Sequence, residues 1–252
     1  MDIMKLKRSY TLLEIMIVTA LLSVALILAM EFMTRTSDEI SIISHEAWLQ
    51  SAIQNAIDEV TTQVQESSAD HMTLFRFTDP AGGTIELPDG STISSTQVAI
   101  CYPTPRDVNG TFVFTTGTGA NVTISAEPVW QGVTVLAYFN AELWQYTDYN
   151  SHTFNDQNPI TITAVSATTI TLSDGTTFNR AGTAGSNQTI RRLMIDLAQV
   201  EVPNFVSGTQ VSSLPMQIQI TAQKRVTGGT FNQGSRMVSA SLMTDVLTRN
   251  KN

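Results

Sequence analysis

One apolar run near the N-terminus constrains this chain more than any other feature. It extends from Tyr10 to Met30, 21 residues, and Glu14 is the one charged side chain inside it. A bilayer core of about 30 Å needs roughly 20 residues of helix, so the run is long enough to span a membrane. Basic residues precede the run at Lys5, Lys7 and Arg8, and none follows until Arg35. The asymmetry predicts a cytoplasmic N-terminus and an exported remainder.

The positions of glycine and proline divide the chain into two parts. All eight prolines and all fourteen glycines fall at or after Pro80. These residues interrupt regular structure most strongly, so the first part predicts one unbroken helix, from about Tyr10 to about Glu66. Its second half has an amphipathic pattern, with spacings of three and four, that predicts packing on a domain. The members of that pattern are Ile40, Ile43, Ala47, Gln50, Ile53, Ile57, Val60 and Val64.

The rest of the chain has the pattern of an antiparallel β domain. From Thr73 onward it is rich in Thr, Val, Ile and Asn, with short alternating runs that suit strands with one buried face. Asp89-Gly90 and Asp174-Gly175 lie between such runs and predict hairpin turns. The predicted fold class is α+β, a long helix packed on an antiparallel sheet. The predicted segments are a basic leader at 1–9, a transmembrane helix at 10–33, its amphipathic continuation at 34–66 and a β-rich exported domain at 67–252.

Composition narrows the class of function. The net charge of −8 disfavours binding to phosphate backbones, so no nucleic-acid partner is expected. No catalytic motif occurs, and the chain is predicted not to be an enzyme. The single cysteine, Cys101, follows an apolar strand and is predicted to be a core residue. His45, His71 and His152 are far apart in sequence, which favours solvated side chains without a shared site.

One loop has oxygen ligands that could suit calcium. Asp148, Asn150 and Asp156 lie within the stretch 148–158, and calcium prefers carboxylate and amide oxygens. The spacing does not fit the helix-loop-helix calcium pattern, because His152 falls where a ligand is needed and no glycine supplies the turn. A solvated turn is therefore the favoured interpretation, and no other cofactor is expected.

Three tryptophans could pack in the core or contact a partner. Trp48 lies beside the apolar stripe of the helix and is predicted to pack on the sheet. Trp130 and Trp144 bracket a pair of predicted strands, where core packing and a subunit interface remain alternatives.

The N-terminus resembles a known family. The leader "MDIMKLKRS" ends in the small residue Ser9, an aromatic residue, Tyr10, follows, and "TLLE" (Thr11 to Glu14) opens the apolar helix. This arrangement is similar to the class III signal peptide of the type IV pilin and type II secretion pseudopilin superfamily. The stretch Met237 to Asn250 also resembles the last strand and terminal Arg-Asn of larger minor pilins and of J-type pseudopilins.

The resemblance implies processing between Ser9 and Tyr10. In that family a prepilin peptidase of the inner membrane cuts at this position and methylates the new amine. The usual residues there are Gly and Phe, so this chain departs from the pattern at both positions. Serine is nearly as small and tyrosine keeps the aromatic ring, so cleavage is expected, at a lower rate. The alternative is an uncleaved signal anchor.

The resemblance also gives Glu14 an expected role. Cleavage would make it the fifth mature residue, about one helical turn from the new amine of Tyr10. In a filament its carboxylate could pair with the terminal amine of a neighbouring subunit and fix the axial register. The alternative is that Glu14 lies at the membrane interface and reaches toward water.

The resulting expectation is a structural minor subunit of a filament assembled in the bacterial inner membrane. Its expected partners are other pilin or pseudopilin subunits, the prepilin peptidase, the assembly platform and the membrane itself. A type II secretion system and a type IV pilus or competence system both remain open. Two alternatives from other classes are a membrane-anchored adhesin or binding module and, less favoured, a secreted hydrolase, because no suitable cleavage site follows the apolar run.

Overall fold

The computed structural model of the protein combines one long helix with antiparallel sheets. It describes residues 11–78, 85–86, 92–93, 96–114, 129–139, 141–154, 159–180, 182–195, 197–202, 215–226 and 236–246. Helix α1 covers Leu12–Glu66, and a one-turn 3₁₀ helix follows at Ala69–His71. In chain order the strands are β1 (Thr73–Thr78), β2 (Ile85–Glu86), β3 (Thr92–Ile93), β4 (Thr96–Thr104), β5 (Gly132–Phe139), β6 (Glu142–Asp148), β7 (Ile162–Val165), β8 (Thr169–Leu172), β9 (Thr177–Asn179), β10 (Gln188–Met194), β11 (Leu197–Glu201), β12 (Met216–Val226) and β13 (Arg236–Val246).

Helix α1 is continuous over 55 residues, as the lack of glycine and proline predicted. Thr11 caps its N-terminus. Its C-cap residue is Ser67 rather than a glycine, and the extended backbone of Ser67 turns the chain out of the helix. The N–H of Ser67 donates to the carbonyl of Val64 at 3.2 Å. The chain then enters β1 within a few residues, so the sheet begins beside the end of the helix.

The strands form four sheets whose pairings are all antiparallel among the described residues. The largest has the order β1-β4-β5-β6-β10, and a second has the order β11-β12-β13. Two smaller sheets are β2-β3 and β7-β8-β9. The α+β fold class is therefore confirmed: a long N-terminal helix with antiparallel sheets behind it.

The Asp174-Gly175 hairpin prediction is confirmed by the pairing of β8 with β9. Gly175 has a φ of +90°, which a side chain would disfavour, and its N–H donates to the carbonyl of Leu172. Strands β2 and β3 pair as predicted around Asp89-Gly90, although that dipeptide itself lies outside the described residues. Residues 111–114 form no strand, and Phe112 makes an isolated bridge with Arg106.

The main core lies between the second half of α1 and the two larger sheets. The helix contributes six buried side chains: Leu49, Ile53, Ala56, Ile57, Val60 and Val64. The first four residues of the predicted stripe, Ile40, Ile43, Ala47 and Gln50, are exposed and do not belong to this face. Toward the N-terminus, the next buried side chain after Ile53 on this face is Leu49, four residues earlier, and the partly buried Ile42 follows. The prediction had instead placed Gln50, three residues before Ile53, on the buried face.

A second core lies on the opposite face of the five-stranded sheet. Every residue of β5 is buried, because the helix covers one face and the small sheet β7-β8-β9 covers the other. Ile162, Ile170, Leu172 and Phe178 of the small sheet pack there against Val135 and its neighbours. The five-stranded sheet is thus a middle layer between the helix and the small sheet.

Candidate functional site

The first part of helix α1 projects from the domain with its apolar side chains uncovered. All residues from 12 to 33 are exposed, including Leu12 at 79% and Phe32 at 71%. A soluble protein rarely leaves so large an apolar surface open to water, and such a surface is suited to contact with a membrane or with other apolar surfaces. The helix is long and apolar enough to cross a membrane, and it lies near the N-terminus.

The few polar side chains in this segment are satisfied within the helix. The Thr19 hydroxyl donates to the carbonyl of Ile15 at 2.9 Å, and the Ser23 hydroxyl donates to the carbonyl of Thr19 at 2.7 Å. Such bonds to the preceding turn let hydroxyls sit in hydrocarbon without an unpaired proton. Beyond the apolar run, Glu31 forms an ion pair with Arg35 one turn later.

Glu14 lies in the first turn of α1 and forms a capping box with Thr11. The Thr11 backbone N–H donates to Glu14 Oε2 at 2.9 Å, and the Glu14 backbone N–H donates to Thr11 Oγ1 at 3.3 Å. The reciprocal bonds satisfy two donors that a helix N-terminus otherwise leaves open. This local role was missed, although "TLLE" matches the Ser/Thr-x-x-Glu pattern of a capping box.

One oxygen of the Glu14 carboxylate remains available beside this cap. The Thr11 hydroxyl and backbone N–H both reach Oε2, and Oε1 accepts no hydrogen bond from the described part of the chain. Ser9 and Tyr10, the predicted processing residues, lie outside the described residues, and their prediction stands untested.

Asp148 and Asn150, two of the three calcium candidates, lie together at the end of β6. The backbone N–H of Asn150 donates to Asp148 Oδ1 at 2.7 Å, and its side-chain amide donates to the same oxygen at 2.6 Å. The amide of Gln188 donates to Oδ2 at 2.8 Å. Both carboxylate oxygens therefore already accept hydrogen bonds in a tight turn. Asp156 lies outside the described residues, so the calcium alternative stays untested.

His152 joins two layers of the domain and is not solvated, contrary to expectation. Its side chain is 4% exposed; Nδ1 lies 2.7 Å from Asp174 Oδ2, and Nε2 lies 3.5 Å from Asp148 Oδ1. Burial alone would raise the pKa of Asp174, but hydrogen bonds from Thr176 and His152 outweigh it and lower that pKa below its usual value. The imidazole thus links the end of β6 to the β8-β9 turn.

The other candidate side chains are divided between core and surface. His71 is 3% exposed, so the solvated prediction is wrong for it as well. Cys101 is buried in the second core as predicted, and burial raises the pKa of its thiol well above the usual range, which keeps it protonated. Among the described residues, no three His, Cys, Asp or Glu side chains form a group that could hold a metal ion.

The tryptophans differ from one another in their surroundings. Trp48 was predicted to be core but is 45% exposed, with the ammonium of Lys224 4.8 Å from its ring centroid. Trp144 is half-buried, stacks on Phe139 at 6.3 Å, and donates from Nε1 to Glu142 at 2.9 Å. Trp130 is half-buried beside His71. Both of the latter are held by intramolecular contacts, and each keeps some exposed surface.

Comparison with protein-family models, with curated proteins and with solved structures finds no match to this chain. The function of the protein is therefore inferred from the geometry of α1 and the β domain and from the N-terminal sequence pattern.

Proposed function

We propose that this protein is a structural, non-catalytic subunit of a pilin-like filament assembled from the inner membrane. The observation that carries the proposal is the form of α1, a single 55-residue rod whose first part is wholly exposed and whose second part is built into a domain. A membrane anchor alone does not need to be continuous with the domain core. A rod without a hinge transmits its axial position to the domain, which a filament lattice requires.

The exposed segment serves in two successive environments. Before assembly, residues 12–33 lie in the bilayer, with the N-terminus in the cytoplasm and the β domain exported. After assembly, the same side chains pack against helices of neighbouring subunits, which replaces lipid contacts by protein contacts of similar polarity. The internal hydrogen bonds of Thr19 and Ser23 suit both environments, because they need no external partner.

Processing by a prepilin peptidase creates the charge that guides assembly. Cleavage between Ser9 and Tyr10 and methylation of the new amine follow from the resemblance of the leader to the pilin superfamily. The amine then lies close to Thr11, where the described helix begins. Glu14 Oε1 is available to accept the amine of a neighbouring subunit while Oε2 keeps the cap. Pairing of two charges in a non-polar bundle depends strongly on their alignment, so it selects one register.

The proposed partners are other subunits, the peptidase, the assembly platform and the inner membrane; the acidic domain gives no basis for a nucleic-acid partner. A minor position in the filament is favoured, because large domains are accommodated more easily at a tip than at every lattice site. The resemblance of the C-terminal stretch to J-type pseudopilins and larger minor pilins agrees with this position.

Incorporation into filaments tests the proposal. The full chain, with an epitope tag after Asn252, is produced in a host that carries the peptidase and the assembly platform, and sheared filaments are purified from membranes. The expected result is that the tag copurifies with filaments and that deleting the peptidase leaves it in the membrane fraction. Retention in the membrane fraction in both strains would support a membrane-anchored binding module instead.

A further inference from the structure

A polar cavity of about 350 Å³ lies between the end of α1 and the five-stranded sheet. Its walls come from the last two turns of the helix, from the ends of β4, β5 and β6, and from the loop that contains Arg106 and Gly110. Thr62 and Gly110 are exposed, so solvent can reach it. Ligand pockets have volumes of about 300 to 1,000 Å³, and this cavity falls within that range.

The lining residues favour a polar ligand over a wholly apolar one. None of the twelve described residues that line the cavity is aliphatic. Apart from the charged Glu59, Glu66 and Arg106, they present mainly hydroxyls and carboxamides, with Tyr102 and Tyr149 as the aromatic members. A hydrophobic molecule would leave these groups unpaired on binding, which costs more than its own burial returns.

The charges at the cavity are compensated, so an ion is not favoured either. Arg106 donates to both carboxylate oxygens of Glu66, from Nε at 2.8 Å and also from Nη2. Glu59 is paired with Arg191 and also accepts from the amide of Gln63 at 2.6 Å. An anion or a cation would have to break one of these pairs to obtain a partner. The groups that remain suit a neutral molecule with many hydroxyls.

The hydrogen-bonding groups are fixed in place before any ligand arrives. The Tyr102 hydroxyl donates to Gln63 Oε1 at 2.7 Å, and the Gln63 amide donates to Gln145 Oε1 at 3.2 Å. Burial raises the pKa of the Tyr102 phenol well above its usual range, so it remains a donor. This chain of bonds orients Gln63 and Gln145, and preorganised groups reduce the entropy that binding costs.

At the inner wall of the cavity, some hydroxyl and amide protons are not used by hydrogen bonds within the protein and can be donated to a ligand. The hydroxyls of Thr134 and Thr147 are 3.1 Å apart, so one proton lies between them and the other is available. The Gln145 amide carries two protons and donates one of them to the Thr147 hydroxyl at 3.5 Å, so the other is available. Tyr149 adds a half-buried aromatic side chain, on which the apolar face of a sugar ring can stack.

We propose that this cavity binds a short neutral saccharide, one or two sugar rings in size. The inference is independent of filament assembly, since the cavity is formed by the β domain and the end of α1, far along the helix from Glu14. A saccharide supplies vicinal hydroxyls that both donate and accept, which matches walls of hydroxyls and carboxamides in which the charged side chains are already paired.

The test uses the full chain in a detergent without a sugar headgroup, because a glycoside detergent would compete. Calorimetry and saturation-transfer NMR are carried out with cellobiose, maltose, lactose and the disaccharide of N-acetylglucosamine. At least one neutral disaccharide is expected to bind with a Kd on the order of 0.1 to 1 mM. A disaccharide with a carboxylate and one with a free amine are expected to bind at least tenfold more weakly than the best neutral probe.

Matched variants place the binding in the cavity. Gln145→Leu removes an inner amide and is expected to weaken binding about tenfold, whereas Gln219→Leu, at a half-buried glutamine on β12, is expected to leave it unchanged. Thr62→Tyr narrows the exposed rim of the cavity, leaves the hydrogen bonds among Tyr102, Gln63 and Gln145 in place, and is expected to weaken saccharide binding. This second variant tests the site even if Gln145→Leu does not fold. The proposal is overturned if no neutral probe binds, if a charged probe binds best, or if every folded cavity variant binds as wild type does.

Discussion

Thr11 and Glu14 bond to each other in both directions at the start of helix α1, with the Thr11 backbone N–H donating to the Glu14 carboxylate at 2.9 Å. Glu14 therefore has a function within its own chain, in addition to the one proposed between chains. The two functions depend on different properties of the side chain. Capping needs a hydrogen-bond acceptor, and pairing with a neighbouring amine needs a negative charge.

Glu14→Gln separates these two functions. Glutamine also serves in a capping box, so the helix start is kept while the charge is lost. Incorporation into filaments, measured by immunoblot of sheared filaments, is expected to fall at least tenfold, with membrane insertion and cleavage retained. Thr11→Ala is the matched control, since it removes the cap and keeps the carboxylate; it should cost about 1 kcal/mol of helix stability and leave most incorporation intact. Wild-type incorporation by Glu14→Gln would refute the register role.

Ile53→Ala is expected to destabilise the domain strongly. Ile53 is 1% exposed in the main core, and truncation of such a residue costs about 2 to 5 kcal/mol of unfolding free energy. Ile43→Ala changes the same residue type ten positions earlier on the same helix, where the side chain is 64% exposed, and should change stability by less than about 0.5 kcal/mol. Urea unfolding of the full chain in detergent, followed by tryptophan fluorescence, measures both. Equal losses would contradict the position at which the helix enters the core.

The link between His152 and Asp174 is expected to make stability fall in acid. The pKa of Asp174 is lowered in the folded protein, so its contribution is present above the unfolded value of about 3.9 and is lost as pH falls through the folded value. Asp174→Asn should therefore lower stability at pH 7 by about 1 kcal/mol, since the carboxylate is partly exposed, and should reduce the loss of stability below about pH 4.

The control for this prediction is Asp245→Asn, at an exposed carboxylate on β13. It should leave the pH dependence of the melting temperature close to that of wild type. If Asp174→Asn and wild type lose stability in parallel on acidification, the carboxylate at Asp174 is not the group responsible.

The fold was largely predictable because its strongest determinants are local. A stretch of 79 residues without glycine or proline specified α1, and Asp174-Gly175 specified a hairpin. The buried face of the helix was harder to place, since from Ile53 both Leu49 and Gln50 lie one turn back. The apolar side chain of Leu49 favours it over the polar Gln50, and the structure buries Leu49 and exposes Gln50.

The side-chain sites depended more on contacts distant in sequence. His152 is buried because Asp174, 22 residues later, returns to it through the β8-β9 turn. The saccharide cavity brings Gln63 of the helix to Gln145 of β6, a separation of 82 residues that no spacing pattern reveals. The capping box of Thr11 and Glu14, by contrast, could have been predicted from four consecutive residues.

The mass of the intact protein purified from its native membrane tests the central claim most directly. A pilin-like subunit is expected to lack residues 1–9, to begin at Tyr10 and to carry one added methyl group on its terminal amine. Fragmentation of the N-terminal peptide assigns the methyl group to that amine. A mature chain that still begins at Met1, or one cut beyond the apolar run near Glu31, would contradict the proposal, because neither places a free amine beside Glu14.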